Sequence, residues 1–272
     1  MGAFSADICG MRKVELSEAL FAISVAALAV LSLVYGNFSP LLAPLPWPRA
    51  WTFGLGMILV LASAGLFLAR TVAAGATIIA LCAVAWAIAS MPHNIPAALS
   101  VGSWYGVSEA VSTLVGVGAL YSLRRRADSG PARAALAGGP ALRVGRGLFG
   151  AACLVYGFAH FAYAAYSLPF VPAWLPARLP LLYLTGACHI AAGVGLTLGL
   201  LPWLAAALEA IMIMLFGLLV WLPSFFAHPT PKWAGSTQNQ LSETFLNFVL
   251  AAVAWMIADS LRGRPRTNKS KG

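Results

Sequence analysis

Charge is what this chain has least of. Of its 272 residues, 17 are Lys or Arg and 8 are Asp or Glu, which makes 9%. A water-soluble domain carries roughly a quarter, so these few cannot clothe a surface in water. Cysteine is scarce too: Cys9, Cys82, Cys153 and Cys188 show no Cys-x-x-Cys spacing, which excludes a disulfide-stapled module and suggests neither a redox dithiol nor a zinc framework. There is no phosphate-cradling glycine loop and no Gly-x-Gly-x-x-Gly following a strand. What is present is apolar: 60% of residues are hydrophobic and 26 more are glycine. Composition therefore excludes a soluble enzyme and a disordered chain, and length accommodates up to about eight spans of about 20 residues.

The net charge of +9 is placed by position rather than by a folded basic surface. Arg12 and Lys13 precede the first apolar run, six arginines between Arg124 and Arg146 fill the central polar stretch, and Arg262, Arg264, Arg266, Lys269 and Lys271 crowd the end. Basic residues gathered in two tails and one long loop mark the cytoplasmic side, where anionic lipid supplies the counter-charge, so the expected partner is the bilayer and not nucleic acid. Apolar runs place eight spans near 15–36, 51–69, 71–91, 105–123, 147–167, 181–201, 203–222 and 241–260, with tight turns at Arg70 and Pro202. An even number puts both termini on one side. The first run is too long for a secretory core and is expected to stay as an anchor.

Internal repetition is the next signal. Val34-Tyr35-Gly36 recurs as Val155-Tyr156-Gly157, Gly56 and Gly65 as Gly186 and Gly195, Met91-Pro92 as Leu222-Pro223, and Ser108-Glu109 as Ser242-Glu243, with the offset creeping from 121 to 134. The expected fold class is all-α: a polytopic membrane protein of eight transmembrane helices, arranged as two parallel four-helix-bundle repeats. Residues 1–126 form the first repeat, 127–146 a cytoplasmic linker, 147–261 the second repeat and 262–272 a basic cytoplasmic tail. Three outer loops, 41–51 (LLAPLPWPRAW), 168–180 (LPFVPAWLPARLP) and 223–233 (PSFFAHPTPKW), combine proline with interface-seeking aromatics and read as caps on the outer mouth.

The second repeat resembles the DoxX-like membrane proteins. The likeness lies in His160-Phe161, in the run from Phe170 through Val171, Pro172, Ala173, Trp174 and Leu175 to Pro176, in Leu182-Tyr183-Leu184-Thr185-Gly186 and in Ala191-Ala192-Gly193-Val194-Gly195-Leu196. It covers about residues 147–223 and reaches the first repeat only through the duplication. It implies a four-helix membrane bundle in a bacterial inner membrane, and a role of the kind linked to that family: quinone-coupled thiosulfate oxidation or membership of membrane redox complexes. The sequence departs from the family at His189, where glutamate is common.

Polar groups inside spans carry the remaining chemistry, because lipid makes them expensive. His160 and His189 fall at matching depth on consecutive antiparallel spans, roughly 10 to 12 Å below the outer surface at 1.5 Å per residue. Glu243 and Asn247 share one face of the last span near the same surface. These four, with Tyr183, Tyr163 and Thr185 at the rim, form the candidate ligand site. Two imidazoles and a carboxylate suit a quinone, the candidate cofactor, by hydrogen-bonding its carbonyl and relaying protons. They suit a divalent metal or haem iron, and equally a packing cluster that only fixes the helices. By the same alignment His160 faces Ser39, His189 faces Leu59 and Asn247 faces Thr113, while Glu243 keeps Glu109, so a site belongs to the second half. Glu209, near the depth of Cys153, reads as a separate proton or cation candidate, and His93 and His228 as incidental loop histidines. The functions kept open are a redox subunit working with membrane partner proteins, a non-catalytic scaffold or assembly factor, and a small-molecule transporter.

Overall fold

The computed structural model describes residues 14–38, 49–128, 139–227 and 230–261. Cys9, Arg12, Lys13, Ser39, Arg133, His228, much of the first outer loop and of the linker, and the basic tail lie outside the described residues.

Uninterrupted apolar runs become helices, and no strand occurs among the described residues. The long elements are α1 (Leu16–Tyr35), α2 (Arg49–Gly65), α3 (Val72–Ala89), α4 (Tyr105–Asp128), α5 (Gly139–Ala162), α6 (Arg178–Leu198), α7 (Pro202–Phe216) and α8 (Thr237–Leu261). Among the described residues seven helical stretches are long and apolar enough to cross a bilayer, α7 counted with its continuation to Phe226, and the chain is an integral multi-pass membrane protein. The exception is α2: its 17 residues rise roughly 26 Å, a little less than the hydrocarbon core. It stops at Gly65 rather than near 69 because the Thr71 hydroxyl donates to the Gly65 carbonyl at 3.0 Å and folds the chain back.

Other ends have equally local causes. Gly36 and Gly199 adopt the left-handed conformation that closes α1 and α6 (φ 68° and 77°), and Pro202 opens α7 at a position where its missing N–H removes no helical bond. The fifth span breaks at Tyr163, five residues short of its expected end, and goes on as a separate turn, Ala164–Ser167. Tyr163 is tied elsewhere: its hydroxyl lies 2.8 Å from Ser100 Oγ and accepts the Gly102 N–H at 3.1 Å, fastening the loop before α4 to α5. Those two bonds, Ser100 first, lower the phenol's pKa. Past Phe216, α7 widens into a π-helical turn, Gly217–Trp221, before Leu222–Phe226.

Packing makes α4 and α8 the centre. Helices α1, α2 and α3 pack in sequence, as do α5, α6 and α7; α3 rests on α4 and α7 on α8; α8 lies along α1, and α4 along α5. Exchanging the halves leaves this pattern unchanged. The expected pair of self-contained four-helix bundles is therefore modified: each last helix seals the other half, with α8 touching α5 only marginally, and two five-helix rings share α4 and α8. Glycine permits the crossing, since a Cβ on Gly116 would fall 2.6 Å from Val253 and 2.8 Å from Phe21.

Buried positions recur between halves at fixed spacings. In α1, Phe21, Val25, Leu28 and Ala29 are buried, as are Phe149, Cys153, Tyr156 and Gly157 of α5, 128 residues on. In α2, Thr52, Gly56, Ala62, Ser63 and Gly65 answer to Leu182, Gly186, Ala192, Gly193 and Gly195 of α6, 130 on. Gly75, Ala76 and Ile79 of α3 answer to Glu209, Ala210 and Ile213 of α7, 134 on. This spacing moves the Val-Tyr-Gly landmark by seven residues, or two turns: Gly36 is a helix cap, whereas Gly157 is a mid-helix contact against Gly186. The position answering to His160 is therefore Ser32, not Ser39.

Candidate functional site

The site begins with missing side chains. A Cβ on Gly157 would lie 2.7 Å from the Gly186 carbonyl oxygen, and one on Gly193 2.7 Å from that of Gly150, so α5 and α6 meet backbone to backbone. A Cβ on Gly186 would fall 2.7 Å from His160 Cβ, so its absence makes room for that imidazole. The His160 and His189 rings lie edge to face with centroids 5.3 Å apart.

Their hydrogen bonds set their protonation. His160 Nδ1 is 3.1 Å from the Leu182 carbonyl oxygen and 3.1 Å from Thr185 Oγ1, and Thr185 gives its own proton to the same carbonyl at 2.9 Å. Both neighbours can then only accept, so Nδ1 carries a hydrogen and a neutral His160 presents a bare Nε2. His189 Nδ1 lies 2.6 Å from Glu209 Oε1, with the two side chains 3% and 0% exposed. A pair so buried holds a net charge only at great expense. At that distance one hydrogen lies between Nδ1 and Oε1.

Aromatic rings wall the imidazoles. Phe216, the last residue before the π turn, lies 6.0 Å from His160 at 28° and 5.7 Å from His189, and Tyr156 meets His189 edge-on at 6.0 Å. The wider turn lets Gly217 pass close to Phe248 and Asn247 of α8. Beyond Tyr156, Tyr105 stands 5.7 Å away, and Glu109 and Glu243 face each other across the central pair of helices. The Cys153 thiol adjoins Glu209.

Of the residues expected to converge, His160, His189 and Thr185 do. Glu243 turns instead toward Glu109 and Tyr105, and Asn247 donates to the Glu243 backbone carbonyl at 2.8 Å. Tyr183 stacks on Phe161 at 5.4 Å and 3° on the outward face, 39% exposed, away from the imidazoles. Glu209, expected as a separate candidate, is the partner of His189. The signal was in the spacing, since residues 189 and 209 are equidistant from Gly199, the turn between antiparallel α6 and α7. Among the described residues no three His, Cys, Asp or Glu side chains are grouped to hold a metal ion.

The corresponding space in the first half is different in kind. There Val25, Leu28, Leu59, Ile79, Cys82 and Trp86 line a cavity of about 70 Å³. Its two hydroxyls are satisfied within their own helices, Ser32 on the Leu28 carbonyl and Thr113 on that of Glu109, both at 3.0 Å. No family model matches the chain, and neither a curated protein nor a solved structure matches it.

Proposed function

We propose that this is a DoxX-like protein of eight crossings, formed by duplication of a four-helix unit, with both termini on the cytoplasmic face of a bacterial inner membrane. Its second half binds a quinone-like molecule at the edge of the paired imidazoles, as a subunit of a membrane redox system. The observation that carries the functional part is internal: the first half packs through corresponding positions with Ser32, Leu59, Leu28 and Gly75 where the second has His160, His189, Tyr156 and Glu209. Packing alone does not call for the polar set.

The chemistry fits a carbonyl that gains protons on reduction. His189 Nε2–H donates to a quinone oxygen, Glu209 replaces the proton through Nδ1, and Phe216 offers a ring face to a flat ligand. Electrons come from partner proteins. Titrating a short-chain ubiquinone and a menaquinone analogue into the purified protein, with tryptophan fluorescence as readout, should give saturable binding that His160→Ala and His189→Leu abolish while the protein stays monodisperse. Absence of saturable binding to the parent protein, or equal binding by both variants, overturns the reading. Topology has its own test: reporters fused after Arg126 and at the C-terminus should both lie in the cytoplasm, and one near Thr230 outside.

A second reading, a scaffold whose polar cluster only holds helices together, is favoured by the position of the cavities. Two lie in the first half: the apolar one above and an open hollow of about 300 Å³ beside Trp51 and Ile58. A bound small molecule calls for about 300 Å³ or more next to its polar contacts. Under this reading His189→Leu impairs extraction and folding, and no quinone is ever bound.

A further inference from the structure

Four buried side-chain polar atoms have no hydrogen-bond partner among the described residues, Ser122 Oγ, Arg146 Nε, the Tyr156 hydroxyl and Glu209 Oε2, and the last two gather at one place. Glu209 is 1% exposed and Tyr156 6%. Both flank His189, the carboxylate through its 2.6 Å bond and the phenol through its ring edge at 6.0 Å. A cluster that served packing alone would have its polar atoms satisfied, since each orphan in the interior loses a hydrogen bond's worth of stability. Orphans on both sides of one imidazole mark places for an exchangeable proton and the water that carries it.

We propose that Glu209 and His189 form a proton-binding site inside the membrane, and that Tyr156 connects it to the Glu109 and Glu243 carboxylates between the central helices. This site uses the same two residues as the quinone reading but needs no quinone, and the spectra below read the acid itself rather than ligand binding. When the proton shifts from Glu209 Oε1 to His189 Nδ1, an O–H bond breaks and an N–H bond forms, and the pair stays neutral overall. His189 then releases its Nε2 proton to a water, and the Glu209 carboxylate left behind accepts the Nδ1–H until a new proton arrives. Tyr156 accepts a proton from that water while giving its own to the Glu109 side, so the phenol is neutral before and after. Two facing carboxylates suit the role of acceptor, because one proton between them relieves the repulsion of two buried charges. Ser112, whose hydroxyl gives its proton to the Ser108 carbonyl at 2.7 Å, stands beside Tyr156.

Infrared spectroscopy of the full-length protein in lipid tests this directly. At neutral pH the difference between parent and Glu209→Gln should contain the carbonyl stretch of a protonated carboxylic acid, and that stretch should shift on transfer to D2O. A difference spectrum with carboxylate bands only overturns the site. His189→Gln keeps the carboxyl group and should move the same band to the position of an unshared acid, which tests the pairing even where Glu209→Gln fails to fold; an unmoved band refutes it. Tyr156→Phe should leave the band in place and slow its deuteration several-fold. Unchanged deuteration removes Tyr156 and the central carboxylates from the path.

Discussion

The two five-helix rings share α4 and α8 and recurring buried positions, yet one encloses an apolar hollow and the other a polar cluster. In the first, Leu28, Leu59 and Cys82 face a space of about 70 Å³. In the second, the answering positions are Tyr156, His189 and Phe216, with Glu209 where Gly75 stands and His160 where Ser32 stands. The lesson is one of division: small residues at helix crossings build the framework in both halves, and a handful of interior positions are free to hold either nothing or chemistry. Gly75 shows why the exchange is not free in both directions. A Cβ there would run into the Ala62 carbonyl oxygen, so the first half has closed over the place where the second keeps a glutamate.

Substitutions can break that comparison or sharpen it, and reversible unfolding in mixed detergent would read each one. The largest effect is expected from Glu209→Ala, which leaves the His189 imidazole buried without its acid and a cavity beside it, and should destabilise by about 2 to 4 kcal/mol. The double variant Glu209→Ala with His189→Leu rebuilds the first half's apolar lining and should recover much of that loss. Equal instability of single and double variants would mean that the pair is not the unit. Gly157→Ala, which sets a methyl against the Gly186 carbonyl, should lose about 1 to 3 kcal/mol by overpacking.

Leu59→His reverses the comparison by placing an imidazole opposite Gly75, where no acid stands. It should lose about 1 to 3 kcal/mol, the toll of an unpaired buried polar group, and no loss would mean that the first ring admits water. The smallest effects are gains. Ala83→Val, directed into the hollow, should add about 1 kcal/mol by filling space. Leu201→Gly should add a similar amount or less, because Leu201 holds a left-handed conformation at φ 45° with its side chain 75% exposed.

Much of the helical plan was legible because lipid-facing segments must be long and apolar, but the ends drifted: α5 begins at Gly139, eight residues inside the expected linker, α4 runs on to Asp128, and two ends were moved by local bonds. Thr71 shortened α2, and Tyr163 interrupted the fifth span. The internal register was harder to read. Val-Tyr-Gly occurs in both halves, but one glycine ends a helix and the other lets two helices touch, and sequence identity does not distinguish those uses. Burial does, and it moves the alignment by two turns. The site was legible in depth but not in direction. His160 and His189 fell at matching height and are neighbours. Glu243 also fell near that height, yet α8 is buried on nearly every side and has no polar stripe to reveal which way its carboxylate turns. Tyr183 was placed at the rim by its position, and only its stack with Phe161 shows that it looks outward.

The sealing of each ring by the other half's last helix has a consequence for how the chain is made. Helix α1 is made long before α8 and is buried against it: Ser17 donates to Asp259 at 3.1 Å, and that face of α1 stays open until α8 is made. Four helices have then entered the bilayer without completing a unit, and a polar edge of α1 carrying Ser17, Glu18 and Ser24 waits in or beside the insertion machinery for its cover. Synthesis of the first 126 residues alone leaves that edge bare and a target for quality-control proteolysis, whereas co-expression of the two halves as separate chains supplies α8 in trans and should restore it.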